Sequence, residues 1–68
     1  YNEGKIECID AIESACIGLD GFEGVCTGKA IKYMWRWKKK AKPAEDVKKS
    51  IWYLQRLLKY LEQQPTNA

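Results

Sequence analysis

The chain has no histidine, which removes the commonest general base and the commonest metal ligand together. Its three cysteines, Cys8, Cys16 and Cys26, lie too far apart for the close Cys or His pairs of the usual zinc patterns. Three is an odd number, so at least one thiol stays unpaired within the chain. Reduced thiols serving as small apolar residues fit this pattern best. No run approaches the roughly 18 apolar residues that a membrane span requires. No secretory signal is visible, although the chain begins at Tyr1 rather than Met, so that absence argues little. No alternation of apolar and polar residues marks a strand. No constellation for acyl transfer or metal-assisted hydrolysis is present, and neither a metal nor a cofactor is expected. A nucleotide ligand remains open.

What is present is concentrated. Between Gly28 and Lys40 there are six positive charges, three aromatic rings and no acid. On a helix this stretch makes a cationic, ring-bearing surface suited to phosphates and bases. Charge is unevenly spread along the chain. Residues 1–28 hold one lysine against six acids, and residues 29–49 hold nine Lys or Arg against two acids. Such halves can attract each other across subunits, or the basic half can meet an anionic ligand.

Sixty-eight residues allow one small domain with a thin margin of stability. Without disulfides or metal, association with other chains is the remaining staple. The expected fold is all-α: one helical domain over 1–64 with a frayed tail at 65–68. The first helix is expected from about Lys5 to Ile17, with Ile6, Ile9, Ile12 and Cys16 on its apolar side. Gly18 is a natural C-cap and Asp20 an N-cap for a second helix from about Phe22 to Lys39. Gly24 and Gly28 share one side of that helix and suggest either close approach of another helix or a ligand lying against bare backbone. A third helix opens at Pro43, carries Glu45 and Asp46 in its first turn, and runs to about Gln63. Val47, Ile51, Leu54, Leu58 and Leu61 follow a 4-3-4-3 spacing that reads as a core seam. Helices two and three are expected to form an antiparallel hairpin.

At 100° per residue, helix two presents three faces. Cys26, Ala30, Tyr33, Met34 and Trp37 form the expected core arc. Lys29, Lys32, Arg36 and Lys40 form a cationic stripe. Ile31 and Trp35 form a third edge. A single chain cannot cover all of these apolar flanks, so a homo-oligomer is expected, with its interface among Ile31, Trp35, Trp52, Leu57 and Tyr60. Asp46, Lys49 and Tyr53 share one strip of helix three, which an antiparallel hairpin brings near Lys32, Tyr33 and Arg36. Asp46 there either closes the hairpin by a salt bridge or accepts hydrogen bonds from a sugar or base. The candidate phosphate-binding set is Lys29, Lys32, Tyr33, Arg36, Lys40, Asp46, Lys49 and Tyr53; a catalytic residue cannot be named. Gly24-Val25-Cys26-Thr27-Gly28-Lys29-Ala30 is no P-loop. Three residues rather than four separate its glycines, Ala30 replaces the magnesium-binding hydroxyl, and no strand precedes it.

Four segments resemble the small tailed-phage domain called SaV-like. They are Glu7-Cys8-Ile9-Asp10-Ala11-Ile12, Phe22-Glu23-Gly24, Gly28 through Arg36, and Glu45 through Leu54. Lys29 stands where that family usually has Asn, and Ser50 where it usually has Ala. The resemblance implies a phage or prophage origin and the cytoplasm of an infected bacterium. A larger relative is a coliphage nucleoside monophosphate kinase without a P-loop. Carried to matching positions, the implied residues are Lys32, Tyr33, Arg36, Asp46, Lys49 and Tyr53. Two versions of nucleotide binding follow: kinase-like phosphoryl transfer, or sequestration of nucleotides against host defence. The alternatives are a nucleic-acid binder and a protein inhibitor of a host factor. Itself and a phosphate ligand are the expected partners, nucleic acid is a further candidate, and a membrane is not expected.

Overall fold

The computed structural model describes residues 4–65. They form α1 (Cys8–Ala15), α2 (Gly21–Arg36), a 3-10 turn (Trp37–Lys39) and α3 (Pro43–Glu62). There is no strand among the described residues, so the chain is all-α. The tail expected to fray falls, from position 66, outside the described residues.

α2 starts at Asp20 because that side chain supplies what the first helical turn lacks. Asp20 Oδ1 accepts from the Glu23 backbone N–H at 2.8 Å, and Glu23 Oε1 accepts from the Asp20 N–H at 3.0 Å. This reciprocal capping box satisfies two otherwise orphaned donors. α3 starts at Pro43, whose fixed φ suits the first helical position. Gly18 has a φ of 84°, a left-handed conformation that other L residues adopt at a cost, and it turns the chain between α1 and α2.

α2 and α3 pack as an antiparallel hairpin, and three hydrogen-bonded links set its register. Tyr60 Oη donates to Asp20 Oδ2 at 2.6 Å, Ser50 Oγ donates to the Ala30 carbonyl at 3.1 Å, and Arg36 Nε donates to Asp46 Oδ2 at 3.2 Å. As position rises on α2 it falls on α3, which is the mark of antiparallel pairing. Phe22 on Tyr60 and Tyr33 on Tyr53, with ring centroids 4.9 and 6.1 Å apart, repeat the register.

The interior is narrower than the sequence pattern predicts. The molecule spans 41 × 24 × 17 Å, so its thinnest dimension is little more than one helix and its side chains. Only Cys26, Ala30, Asp46 and Ser50 are buried among the described residues. Cys26 and Ala30 belong to the expected core arc and Tyr33 is half-buried, but Met34 and Trp37 are exposed. On α3 the side facing α2 is Asp46, Ser50, Tyr53, Leu57 and Tyr60. The expected core seam lies about 100° round the helix from it, leaving Ile51, Leu54, Leu58 and Leu61 exposed and Val47 half-buried. The small side chains of Cys26, Ala30 and Ser50 explain the choice. They let two backbones approach, and the Ser50 hydroxyl is satisfied only on that face.

α1 is shorter than the pattern suggests. Its eight residues begin at Cys8, not Lys5, and Ile6, Ile9 and Ile17 are exposed. So short a helix depends on tertiary contact. It rests on α2 through Ile12 and Cys16. A Cβ added at Gly28 would stand 3.2 Å from Ile12 Cγ2, and Cys16 Sγ lies 3.6 Å from the Gly24 carbonyl. The two glycines therefore mark the track of α1, although only at Gly28 would an added Cβ press on it. Cys8, Cys16 and Cys26 are all free thiols.

Candidate functional site

The hairpin geometry gathers much of the cationic stripe around one tyrosine. Tyr33 of α2 is half-buried and stacks on Tyr53 of α3, the two ring planes inclined by 17°. Three cations lie by the Tyr33 ring: Arg36 Cζ at 4.9 Å, Lys49 Nζ at 5.4 Å and Lys32 Nζ at 5.8 Å from its centroid. Lys32 reaches it from its sequence neighbour, Arg36 from the next turn of α2, and Lys49 from across the hairpin. All three distances fit cation–π contact. Trp52 closes the α3 side, edge-on to Tyr53 at 4.9 Å.

Among the described residues, the carboxylate bonded into this cluster is Asp46, and its partner is Arg36. Asp46 is 4% exposed and accepts from Arg36 Nε at 3.2 Å and Nη2 at 3.3 Å. The paired fork fixes the guanidinium plane and joins the last turn of α2 to the first turn of α3. Asp46 also lies at the N-terminal end of α3, where the helix dipole favours a negative charge. Of the two roles open to Asp46 in the sequence, the structure thus shows the salt bridge. Lys32 and Lys49 remain exposed beside the same ring.

Of the candidate phosphate-binding set, Lys32, Tyr33, Arg36, Asp46, Lys49 and Tyr53 come together. Lys29 is half-buried one turn earlier on α2. Lys40 follows the 3-10 turn, so it leaves the phase of the stripe, which holds only while the chain is α-helical.

The expected interface residues divide. Trp52 is exposed. Trp35 and Ile31 are half-buried; Trp35 lines two apolar hollows and Ile31 one of them. One, of about 260 Å³, lies between α2 and α1 and is lined by Cys8, Ile9, Ile12, Lys32, Trp35 and Arg36. The other, of about 370 Å³, runs between α2 and α3 along Ile31, Met34, Trp35 and Leu54. Leu57 is half-buried on the side of α3 that faces α2. Tyr60 is engaged within the chain, by its bond to Asp20 and its packing on Phe22.

A second basic, aromatic hollow, of about 410 Å³, lies at the far end of the hairpin and is lined by Phe22, Arg56, Lys59, Tyr60 and Gln63. Arg56 Cζ is 5.6 Å from the Phe22 ring and 5.4 Å from the Trp52 ring. The sequence places Arg56 and Lys59 beside Trp52, but their meeting with Phe22 needs the hairpin register. Here the Tyr60 hydroxyl lowers the pKa of Asp20, helped by the Glu23 N–H, and the same bond raises that of Tyr60.

Fold and site together define a small all-α domain whose α2–α3 hairpin carries a cation-and-tyrosine cluster at its clasped end. The chain belongs to DUF3310, a protein family of unknown function, whose model matches residues 1–55. That match takes in α1, α2 and α3 as far as Gln55, and with them the whole Tyr33 cluster. No curated protein and no solved structure matches the chain. No described helix is long and apolar enough to cross a membrane.

Proposed function

We propose that the protein is a phage-encoded, homo-oligomeric nucleotide-binding protein whose phosphate site is the Tyr33 cluster. The observation that carries this reading is the set of three cations gathered around the Tyr33 ring, with the buried Asp46 bonded to Arg36. Three like charges gathered around one ring favour an added anion there. Lys32 and Lys49 would take phosphate oxygens as point charges, with Arg36 held in place by Asp46. The half-buried Tyr53 and the exposed Trp52 offer a base or sugar a ring to lie against. The resemblance to the SaV-like phage domain supports the nucleotide and the phage origin. The exposed apolar residues of α3 support the oligomer.

Sequestration fits better than phosphoryl transfer. Asp46 is buried and committed to Arg36, so it is badly placed to take a proton from a substrate hydroxyl. Titration calorimetry against mono-, tri- and cyclic nucleotides tests the reading. Saturable binding at roughly tens of micromolar is expected, weakened about fivefold to tenfold by Lys49→Ala. No heat with any nucleotide ends the proposal, and turnover of a nucleoside monophosphate replaces sequestration by a kinase.

The exposed run Lys38, Lys39, Lys40 and Lys42 at the turn of the hairpin favours nucleic acid as a second reading. That reading requires affinity to fall steeply with salt, with a slope set by the number of phosphates contacted. Inhibition of a host protein would use the exposed Trp52. It predicts that Trp52→Ala abolishes the inhibition while Lys32→Ala with Lys49→Ala leaves it unchanged.

A further inference from the structure

We infer that α3 pairs antiparallel with α3 of a second copy of this chain, through Ile51, Leu54, Leu58 and Leu61. This rests on the homo-oligomer reading above and replaces the face expected from sequence. These four side chains are 46%, 49%, 56% and 47% exposed in the single chain. With Val47 they keep a 4-3-4-3 repeat over nearly the whole of a 20-residue helix. That repeat is the pattern of a helix whose apolar seam meets another helix, and α2 does not take the place of that helix. The groove lined by Ile31, Met34 and Leu54 opens beside the seam, so a helix laid on α3 would also cover part of α2.

Charge selects the occupant and its direction. In heptad terms Ile51 and Leu58 hold the a positions, and Val47, Leu54 and Leu61 the d positions. Lys48, Gln55 and Glu62 then follow each d residue along the open edge of the seam, and all three are exposed. In an antiparallel pair, Leu54 layers against Leu58 of the partner subunit and Ile51 against Leu61 of the partner subunit. The same alignment brings Lys48 beside Glu62 of the partner subunit, twice by symmetry, with Gln55 near the two-fold axis. In a parallel pair these charges would lie fourteen residues apart, about 21 Å along the helix, and neither would meet an opposite charge. A second copy thus supplies the complementary sequence with no other partner needed. Lys49 lies about 160° round α3 from the seam, so this pairing leaves the Tyr33 cluster open.

Sedimentation equilibrium of the full chain, with far-UV circular dichroism to monitor folding, tests the inference. The native protein is expected at twice its chain mass of 7.9 kDa or a multiple of that. Leu54→Gln with Leu58→Gln changes exposed positions only, so it should keep its helicity and sediment as a monomer. Lys48→Glu alone and Glu62→Lys alone should each weaken association about tenfold, and the two together should restore it. A native protein that is monomeric at every concentration ends both the oligomer reading and this one. An oligomer that survives Leu54→Gln with Leu58→Gln keeps the first and removes the second. Failure of the double charge exchange to restore association excludes the antiparallel direction. The charge variants carry the test even if the leucine variant does not fold.

Discussion

Replacing Arg36 by methionine asks whether the clasped end of the hairpin rests on one ion pair. Methionine keeps an unbranched stem near Tyr33 but removes the fork that holds Asp46 at 3.2 and 3.3 Å. Asp46, 4% exposed, would then carry its charge without a partner. Breaking a fully buried pair in this way costs about 3–5 kcal/mol. The Arg36 side chain is 23% exposed, so water screens part of the interaction and about 2–3 kcal/mol is the better figure. A domain of this length holds about 3–10 kcal/mol in total. At about 4–8 °C per kcal/mol, Tm should fall by about 10–20 °C. Thermal melts followed by circular dichroism, at neutral pH and one fixed protein concentration, measure this. Arg36→Met with Asp46→Leu should recover most of the loss, because both charges leave together. An Arg36→Met melt within about 3 °C of the native protein would refute the reasoning, since it would mean that Asp46 is solvated after all.

Other consequences are as direct. Tyr60→Phe keeps the ring on Phe22 but removes the bond to Asp20. The folded pKa of Asp20 is lowered, so its share of stability is present above its ordinary carboxylate range and lost as pH falls through the lowered value. The folded pKa of Tyr60 is raised, so its share is present below the ordinary tyrosine range and lost as pH climbs through the raised value. The gap in Tm between native protein and Tyr60→Phe should therefore be widest near neutral pH and narrow towards both extremes; a constant gap would contradict the assignment. Gly24→Ala meets nothing within 4 Å and sits inside α2, so it should stabilise by about 0.5–1 kcal/mol in chemical denaturation. Gly28→Ala should gain less than Gly24→Ala, because its new methyl would press on Ile12 Cγ2 at 3.2 Å; equal gains would show that α1 does not pack there. Lys32→Ala with Lys49→Ala should reduce nucleotide affinity with little change in Tm, unlike Arg36→Met, which should reduce both.

The sequence made much of the hairpin legible because its signals are local. Asp20 and Glu23 announce the start of α2 at capping-box spacing, and Pro43 announces the start of α3. The cation stripe and the Asp46–Lys49–Tyr53 strip were both readable from helical phase, and the structure joins them at Tyr33. The side of α3 that turns inward was not readable. A 4-3-4-3 apolar seam says that something covers it, and not whether the cover is the same chain. The structure turns Asp46, Ser50 and Tyr53 towards α2 because small partners and hydrogen bonds favour that face. Tyr60 was misleading for a related reason: an aromatic ring flanking a seam can serve an interface or the interior, and only the contact with Phe22 and Asp20 settles which. The start of α1 was overextended because Ile6 and Ile9 keep a helical period that the fold leaves exposed.

The central claim is that nucleotide phosphate binds on the Tyr33 face of the hairpin. Mapping backbone amide shifts by NMR while a nucleotide is titrated into the full chain tests it most directly. The account predicts saturable shifts gathered at Lys32, Tyr33, Arg36, Lys49 and Tyr53. Shifts confined to Phe22, Arg56, Lys59 and Tyr60 at the opposite end of the hairpin, or no shifts with any nucleotide, would contradict it.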